Sequence, residues 1–225
     1  MGIKAHYSRD REAMRLAILA AARRLFVREG YANVSIRKIA ASIGYSPAAI
    51  YLYYPGKAEI FLALAEEGFG RLAQVLAENA RETEDLQLAL EQRFWRYYEF
   101  SKKQPEYFWL MFVDRSVPEW GSGAGAALLQ QFREDGVELV RRCVAAGLLP
   151  SGTNAAAAFH VLVSAIHGAA VHRLCGRLVQ RREADILARD TLRAAIAGLR
   201  AGVPLELQRG AVKPPAAPRT RESLP

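Results

Sequence analysis

Aromatic hydroxyls and a lysine are concentrated between residues 51 and 57 of this 225-residue chain. Tyr51, Tyr53 and Tyr54 are too many hydroxyl-bearing rings for the core of a small domain, so at least one pair is expected to face outward. Lys57 lies where the next helix is predicted to begin, and a cation there opposes the helix dipole. A bound phosphate would remove this conflict, whereas a lysine that extends into water leaves it at a cost of about a few tenths of a kcal/mol.

The positive charge of the chain is concentrated in the same N-terminal quarter. Residues 1–57 contain 10 Lys and Arg against 3 Asp and Glu, a net charge of +7 within a chain total of +8. Residues 58–202 contain 17 basic and 18 acidic residues and are nearly neutral. This distribution is typical of a phosphate-binding module joined to a neutral domain, although a solvated basic face would give the same count.

Two short helices joined at a glycine are predicted to position these groups. Ser35 and Ser46 can each cap a helix by accepting a hydrogen bond from its first turn. Gly44 permits the positive φ of a tight turn between the helices. Ala40 supplies the small side chain that a steep helix crossing needs, and Ile50 supplies an aliphatic anchor. The segment therefore has the pattern of a helix-turn-helix.

The rest of the chain has helical period without alternating strand patterns, which predicts an all-α fold of about nine helices. Residues 1–57 are predicted to form a three-helix domain with a basic N-terminal arm. Residues 58–202 are predicted to form a larger helical domain. Residues 203–225 are rich in proline and polar residues and are expected to be disordered.

The sequence contains no convincing motif for catalysis or metal binding. The glycine-rich stretch at residues 121–126 superficially fits a dinucleotide-binding pattern, but no strand precedes it, so it is interpreted as a flexible connection. His160 and His167 lack cysteine or carboxylate partners at suitable spacing. Cys143 and Cys175 are interpreted as buried free thiols. We therefore expect neither an enzyme nor a metal or cofactor.

We also expect neither a membrane-spanning helix nor a secretory signal in this sequence. The longest apolar stretch, residues 154–174, is interrupted by three histidines and is interpreted as a buried helix. The N-terminal flank is too charged for a secretory signal. The sequence thus predicts a soluble, cytoplasmic protein without a membrane partner.

The segment "ILAAARRLFVREGYANVSIRKIAASIGYSPAAIYLYYPGKAEIFLAL" resembles the DNA-binding domain of the TetR family of bacterial transcriptional regulators. The resemblance covers roughly residues 15–64. It includes an aliphatic-Ala-Ala-x-x-Leu-Phe helix, a Gly-Tyr turn and a Tyr-x-Tyr-Tyr-x-x-Lys close. Farther on, "FSKKQPEYFWLMF" and "AAGLLPSGTNAAAAFHVLVSAIHGAAVHRL" look more loosely like a C-terminal domain of that family.

The resemblance implies a homodimer whose two helix-turn-helix units bind a palindromic operator in double-stranded DNA. Carried over by position, the phosphate-contacting residues are Ser35, Tyr51, Tyr53 and Lys57. The residues that approach bases are Arg37, Pro47, Ala48 and Ala49, with Ser46 at the cap of the helix that carries the last three. The N-terminal arm, with Lys4, Arg9 and Arg11, either adds minor-groove or phosphate contacts or is a frayed basic tail.

Within this resemblance, Pro47, Ala48 and Ala49 present a small, smooth surface that can touch thymine methyl groups without hydrogen bonds. Arg37, on the preceding helix, is then the polar reader of the bases.

The family also implies a repressor that a small molecule releases from DNA. Nine of the 21 aromatic residues lie between residues 94 and 112, which suits a hydrophobic or aromatic effector, although such residues also build cores. The ligand-binding candidates are Phe94, Tyr98, Trp109, Phe112, His160 and His167. Small residues in the last two helices predict a four-helix dimer interface. Alternatives are a regulator without a ligand and, more remotely, an unrecognised enzyme.

Overall fold

The computed structural model describes residues 2–77, 84–116, 124–176 and 180–207. Within these residues the chain forms nine α-helices and one 3-10 turn, without strands. The helices are α1 (Gly2–Glu29), α2 (Ile36–Ser42), α3 (Pro47–Tyr51), α4 (Lys57–Ala77), α5 (Leu86–Lys103), α6 (Pro105–Phe112), α7 (Ala124–Ala145), α8 (Ala155–Cys175) and α9 (Arg181–Arg200), and the 3-10 turn is Tyr31–Asn33. The predicted all-α class and number of helices are confirmed for the described residues.

The long helix α1 supports the α2–α3 pair and also touches the larger helical region. Ile18, Ala22 and Phe26 on its apolar face are completely buried, and α1 packs against α2, α4 and α6. Because α1 begins at Gly2, the backbone of the predicted N-terminal arm belongs to this helix, and its role in DNA binding stays a prediction. The helix stops at Gly30, whose φ of 79° is costly for any residue with a Cβ.

Helix α4 joins the two regions of the molecule. Its apolar face, which includes the buried residues Ile60, Leu64 and Phe69, packs against α1 near one end and against α5, α6 and α7 farther along. The expected division between residues 57 and 58 falls at the first turn of this shared helix. The two-domain division and its limits stay a prediction.

Helix α8 is the central helix of the larger region. It packs against α5, α7 and α9, and it is capped by Asn154, whose side chain accepts hydrogen bonds from the backbone N–H groups of Ala156 and Ala157. By length and hydropathy alone α8 could cross a membrane. Its packing against three neighbouring helices is what was expected of a core helix.

A glycine at the α7–α8 crossing brings an aromatic ring against the backbone of α7. A Cβ at Gly136 would overlap the ring of Phe159. The absence of that Cβ lets the Phe159 ring lie close against α7, where it also lines a cavity.

The glycine-rich connection differs from the prediction. Ala124–Ala126 already belong to α7, so the second half of the stretch at residues 121–126 is helical and not a flexible connection. The alanines on either side of Gly125 favour helix, and the helix packs against α4. Residues 121–123 lie outside the described residues.

The two cysteines also differ from each other. Cys143 is buried as predicted, but Cys175 is exposed. Cys175 is the last residue of α8, directly before the left-handed cap at Gly176, where the helix leaves the core. The predicted disordered tail falls mainly on residues 208–225, which lie outside the described residues.

Candidate nucleic-acid interface and ligand cavity

Both short helices of the α2–α3 pair begin with the predicted serine caps. The Oγ atom of Ser35 accepts a hydrogen bond from the backbone N–H of Lys38, with a distance of 3.3 Å. The Oγ atom of Ser46 accepts one from the N–H of Ala49, also at 3.3 Å. Each cap pairs a backbone donor that helix geometry leaves open and so fixes where its helix starts.

The turn and the crossing of the pair are also as predicted. Gly44 has a φ of 73°, and no atom lies within 4 Å of a Cβ built on it, so the backbone conformation rather than space requires glycine. Ala40 and Ile50 are completely buried. A methyl group at the crossing lets α2 and α3 approach, and Ile50 holds α3 against the core.

The outer side of the pair is open to solvent, and none of the nine predicted DNA-contacting side chains is buried. The exposed ones are Ser35, Arg37, Ser46, Ala48 and Tyr51, and the half-buried ones are Pro47, Ala49, Tyr53 and Lys57. All nine therefore occupy accessible positions on α2, α3 and the adjoining ends. Their contact with DNA stays a prediction.

The three clustered tyrosines divide between surface and core. Tyr51 is 56% exposed, whereas Tyr54 is only 4% exposed. The guanidinium of Arg15 lies over the Tyr54 ring, 5.3 Å from its centroid, and burial raises the pKa of Tyr54. The outward pair expected from the sequence is thus Tyr51 with the half-buried Tyr53.

Lys57 has a partner inside the chain that the sequence did not reveal. Its Nζ donates a hydrogen bond to the backbone carbonyl of Tyr31 at 2.9 Å and lies 4.1 Å from the centroid of the Tyr31 ring. The carbonyl and the ring face hold the ammonium in place near the first turn of α4. Because an ammonium has three donors, others remain for an outside acceptor.

Two exposed apolar side chains beside α3 were not predicted. Tyr45, in the turn before α3, is 52% exposed, and Leu52, directly after it, is 76% exposed. Their position next to Gly44 and Tyr51 is the only sequence signal that could have identified them. They extend the accessible surface at both ends of α3.

A cavity of about 560 Å³ lies among α5, α6, α7 and α8. Its walls are mainly apolar and aromatic, and its polar groups are the Tyr97 hydroxyl of α5 and side chains of α7 and α8. Its lining includes Tyr97, Phe112, Phe132, Arg133, Phe159, His160 and His167. Three of the six predicted ligand-binding residues, Phe112, His160 and His167, meet at this cavity.

The other three candidates lie outside this lining. Phe94 is buried and packs against Phe159, with ring centroids 6.1 Å apart. Tyr98 is buried with its hydroxyl bound to Asp185, and Trp109 is half-buried on α6. The prediction also omitted Phe132 and Phe159, because only the packing of α7 against α8 brings them to the aromatic residues of α5.

The central polar contact of the cavity joins Tyr97 to His167. The Tyr97 hydroxyl lies 2.9 Å from Nδ1 of His167. The imidazole stacks on Phe108, with centroids 5.3 Å apart, and meets Phe112 edge-on. Burial lowers the pKa of His167 and raises the pKa of Tyr97. Both rings are therefore held in their neutral forms near pH 7.

A smaller cavity of about 300 Å³ lies on the other side of Phe132. It contains Arg93, which donates a hydrogen bond to the Phe132 carbonyl at 2.7 Å and has a buried Nε without a described partner. Burial lowers the pKa of Arg93. Phe132 is thus the wall shared by both cavities.

A polar cluster fastens α9 to α5. The carboxylate of Asp185 accepts hydrogen bonds from the Tyr98 hydroxyl and from Nζ of Lys102, both at 2.7 Å. Burial acts to raise the pKa of Asp185, but these two hydrogen bonds and the nearby charges of Lys102 and Arg173 outweigh it and hold the pKa below its usual value. The carboxylate therefore stays ionised.

Helix α6 connects the cavity to α1. Phe112 lines the cavity near the end of α6, while Glu106 in its first turn forms an ion pair with Arg23 of α1 at 2.8 Å. Just after α6, the side chain of Asp114 accepts a hydrogen bond from the N–H of Tyr31 at 3.3 Å. Helix α6 therefore contacts both the cavity and α1, the helix that packs against α2.

The small residues of α8 and α9 serve two different purposes. Ala169 and Ala170 are buried where α8 packs against other helices of the same chain. Ala194 and Ala197, on α9, are exposed. The exposed set is therefore the one available to a second subunit, and the dimer interface stays a prediction.

Comparison with protein families identifies the N-terminal region. Residues 18–64 match the family described as "Bacterial regulatory proteins, tetR family". Over 65 residues, 29% of this chain and 34% of the relative, the sequence is 42% identical to the HTH-type transcriptional repressor AcnR of Corynebacterium diphtheriae. Over 63 residues, 28% of this chain and 34% of the relative, it is 40% identical to the HTH-type transcriptional repressor Rv1474c of Mycobacterium tuberculosis. The match spans about a third of the length of these regulators.

Solved structures show that the likeness in fold extends over most of the chain. The TetR family regulator PfmR of Thermus thermophilus superposes with a TM-score of 0.67 at 24% identity, covering 81% of this chain and 98% of PfmR. The regulator FadR of Bacillus subtilis, solved in complex with stearoyl-CoA, gives a TM-score of 0.69 at 17% identity, covering 81% of this chain and 98% of FadR. These similarities establish the fold alone, and the named relatives are regulators rather than enzymes.

Proposed function

The chain belongs, through residues 18–64, to the TetR family of bacterial regulatory proteins, and from this premise we propose that it is a DNA-binding transcriptional repressor. The observation that carries the proposal is the α2–α3 pair, whose buried side fixes the crossing and whose accessible side is part of a strongly basic segment. A basic surface supplies the sequence-independent part of DNA affinity through phosphate contacts. As a regulator of bacterial genes, the protein would act in the cytoplasm.

The accessible residues divide into two roles in this proposal. Arg37 reads a base edge through hydrogen bonds, while Pro47, Ala48 and Ala49 pack against thymine methyl groups in the major groove. The phosphate contacts come from Ser35, Tyr51, Tyr53 and Lys57. The phosphate contacts set the register of the protein on the duplex, and the base contacts supply specificity.

Operator binding is tested by selecting bound fragments from genomic DNA and measuring affinities for the selected site at several salt concentrations. Lys57→Ala should weaken binding to all sequences and reduce the salt slope by about one. Arg37→Ala should relax the preference at one base-pair position, with a loss of about 1–3 kcal/mol for the preferred base.

The matched control is Arg182→Ala, which removes an exposed arginine at the start of α9. It should leave both the affinity and the specificity unchanged. An Arg37→Ala protein whose affinity is unchanged for every base substitution overturns the role of Arg37 as a base reader.

The same proposal includes a homodimer on a palindromic operator. The exposed small residues of α9, with Ala194 and Ala197, let a second copy approach closely, and two helices from each subunit would form a four-helix interface. Recognition helices in such a dimer would occupy successive major grooves about 34–36 Å apart. Ala197→Arg should produce monomers in analytical ultracentrifugation, whereas Ala146→Arg, at an exposed position after α7, should not.

Release from DNA by a small molecule is the finer part of the proposal. The cavity offers space for a ligand, and α6 contacts both this cavity and α1. FadR, a protein of similar fold, was solved in complex with stearoyl-CoA, which supports a small-molecule ligand for this protein as well. The ligand must bind the free dimer more tightly than the DNA-bound dimer, since only that difference can shift the equilibrium.

A test of release measures operator binding in the presence of fractionated small-molecule extracts. An active fraction should lose its effect on Glu106→Gln, which breaks the ion pair with Arg23 but leaves the cavity intact. A protein that binds its operator equally in every fraction would instead be a regulator without a ligand.

A further inference from the structure

His167 and Tyr97 define the chemistry of the large cavity more narrowly than its apolar walls do. The inference developed here rests on the proposal that this cavity binds a small molecule. A hydrogen bond of 2.9 Å joins the Tyr97 hydroxyl to Nδ1 of His167. Tyr97 is only 2% exposed. The imidazole of His167, on α8, contacts the rings of Phe108 and Phe112 on α6.

The buried hydroxyl fixes the tautomer of the imidazole. Nδ1 of His167 is the one described hydrogen-bond partner of the Tyr97 hydroxyl. If Nδ1 carried the proton and donated to the tyrosine oxygen, the hydroxyl hydrogen would be buried without an acceptor, which costs the desolvation of that group without compensation. The hydroxyl therefore donates to Nδ1, and the proton of the neutral ring lies on Nε2.

The Nε2–H group is available to a ligand. His167 lines the cavity, and among the described residues Nε2 has no hydrogen-bond partner and is not one of the buried unpartnered side-chain atoms. The ring cannot turn freely, because it stacks on Phe108 and meets Phe112 edge-on. Burial lowers the pKa of His167, which keeps the ring neutral and Nε2 a single, directed donor.

The rest of the lining sets the shape and charge of the molecule that would meet this donor. Tyr97, Phe112, Phe132 and Phe159 supply aromatic walls, which suit a flat apolar body. Among the described residues, Arg133 is the charged side chain of the lining and carries no ion pair, and the lining contains no carboxylate. An uncharged or anionic molecule fits this environment, whereas a cation does not.

We propose that the cavity binds a flat, apolar molecule that carries one hydrogen-bond acceptor oxygen, of the carbonyl or carboxylate class. The oxygen accepts a hydrogen bond from Nε2–H of His167, and Tyr97 acts as the positioning residue that selects this tautomer. A carboxylate would lie close enough to the rim to gain from Arg133 as well, whereas a ketone or ester would not depend on Arg133.

The test uses matched probes that differ in the oxygen alone. Calorimetry compares 2-acetonaphthone with 2-ethylnaphthalene, which has the same body without the carbonyl. The wild-type protein should bind the ketone about tenfold more tightly, the effect of one hydrogen bond of about 1.4 kcal/mol. In His167→Phe, which keeps a ring against Phe108, the two affinities should become equal within about twofold.

Tyr97→Phe is the second variant, since it leaves the imidazole in place but removes the group that selects its tautomer. Its ketone preference should fall between those of the wild type and His167→Phe. Nitrogen-15 NMR of the histidine rings should show the Nε2–H tautomer for His167 in the wild type and a mixture in Tyr97→Phe. Equal affinities in the wild type, a preference that survives His167→Phe, or an Nδ1–H tautomer overturns the inference.

A third probe, 2-naphthoate, distinguishes the two oxygen classes. If the effector is a carboxylate, 2-naphthoate should bind more tightly than the ketone, and Arg133→Gln should remove that extra affinity. A naphthoate preference that persists in His167→Phe and disappears in Arg133→Gln assigns the recognition to Arg133 and overturns the role of His167. Operator binding without any probe is measured in parallel, so that a failure of the DNA-binding proposal is seen separately from a failure of this one.

Discussion

The α2–α3 pair takes its shaping residues from the short stretch Ser35–Ile50, whereas the large cavity takes its walls from four helices spread between Tyr97 and His167. In the first region, caps, a turn glycine and a small crossing residue act between near neighbours in sequence. In the second, the central hydrogen bond joins residues 70 positions apart. The structure of the first region can therefore be predicted from neighbouring residues in the sequence, whereas that of the second depends on how distant helices pack.

This contrast predicts that single substitutions can disable one region without affecting the other. The largest expected effect comes from Ala40→Leu, which adds three carbons at the completely buried α2–α3 crossing. Overpacking should cost about 1–3 kcal/mol and misalign α3. Operator affinity should fall by roughly 100-fold, the scale of two lost base contacts, while binding of 2-acetonaphthone stays within about twofold of the wild type.

The measurements are fluorescence anisotropy on operator DNA and calorimetry with the probe. Ala146→Leu, at an exposed position after α7, is the control and should alter neither. Undiminished operator binding by Ala40→Leu would show that the crossing does not require a small residue.

A smaller effect is expected in the larger region from Asp185→Ala. This change leaves the buried Tyr98 hydroxyl without its acceptor and removes the ion pair with Lys102, so the free energy of unfolding should fall by about 2 kcal/mol. Urea denaturation measures the loss. Operator affinity measured well below the unfolding midpoint should not change.

The control is Asp190→Ala, an exposed aspartate one turn along α9, with an expected change within about 0.5 kcal/mol. Tyr98→Phe combined with Asp185→Ala should cost less than the sum of the two single changes, because the double variant leaves no unpaired hydroxyl. Strict additivity contradicts the assigned hydrogen bond.

Removing a single cap should have a more modest effect. Ser46→Ala deletes the hydrogen bond to Ala49 and should weaken α3 by about 1 kcal/mol. Amide hydrogen exchange in α3 should then be about fivefold faster, with α8 unaffected. Ser164→Ala, at an exposed position inside α8, serves as the control; equal exchange rates for α3 in wild type and Ser46→Ala would argue against the cap.

The smallest expected effect is the contribution of His167, in the cavity, to the pH dependence of stability. Burial lowers the pKa of His167 in the folded chain, so the unfolded chain takes up a proton first as the pH falls below about 6.5. The stabilisation contributed by the neutral ring is complete above that pH and is lost as the pH falls through the lower, folded pKa.

Thermal unfolding at pH 7.5 and pH 5.5 measures this contribution. The wild type should lose more stability between the two than His167→Phe, whatever their absolute stabilities. The groups that face His167 are the uncharged rings of Tyr97, Phe108 and Phe112, and Arg133 is the charged residue among the described lining of the same cavity. Identical pH dependence in the two proteins contradicts the burial argument.

The sequence by itself determined the all-α class, the caps at Ser35 and Ser46, the turn at Gly44 and the expectation that at least one pair of the clustered tyrosines faces outward. These features follow from rules that act within one or two helical turns, so neighbouring residues suffice to state them. The positions of the predicted DNA contacts came instead from the resemblance to the TetR family, and all nine are accessible in the structure.

Only the tertiary structure decided where Lys57 binds, which aromatic residues enclose a cavity and which lie in the core. Tyr31 reaches Lys57 across 26 residues, and Phe159 reaches the cavity because Gly136 lets it approach α7. Phe94 and Phe112 are both phenylalanines of the aromatic stretch between residues 94 and 112. Phe94 is nevertheless buried in the core, whereas Phe112 lines the cavity. Helical period places a side chain on a face, but the neighbour that face meets depends on contacts between distant helices.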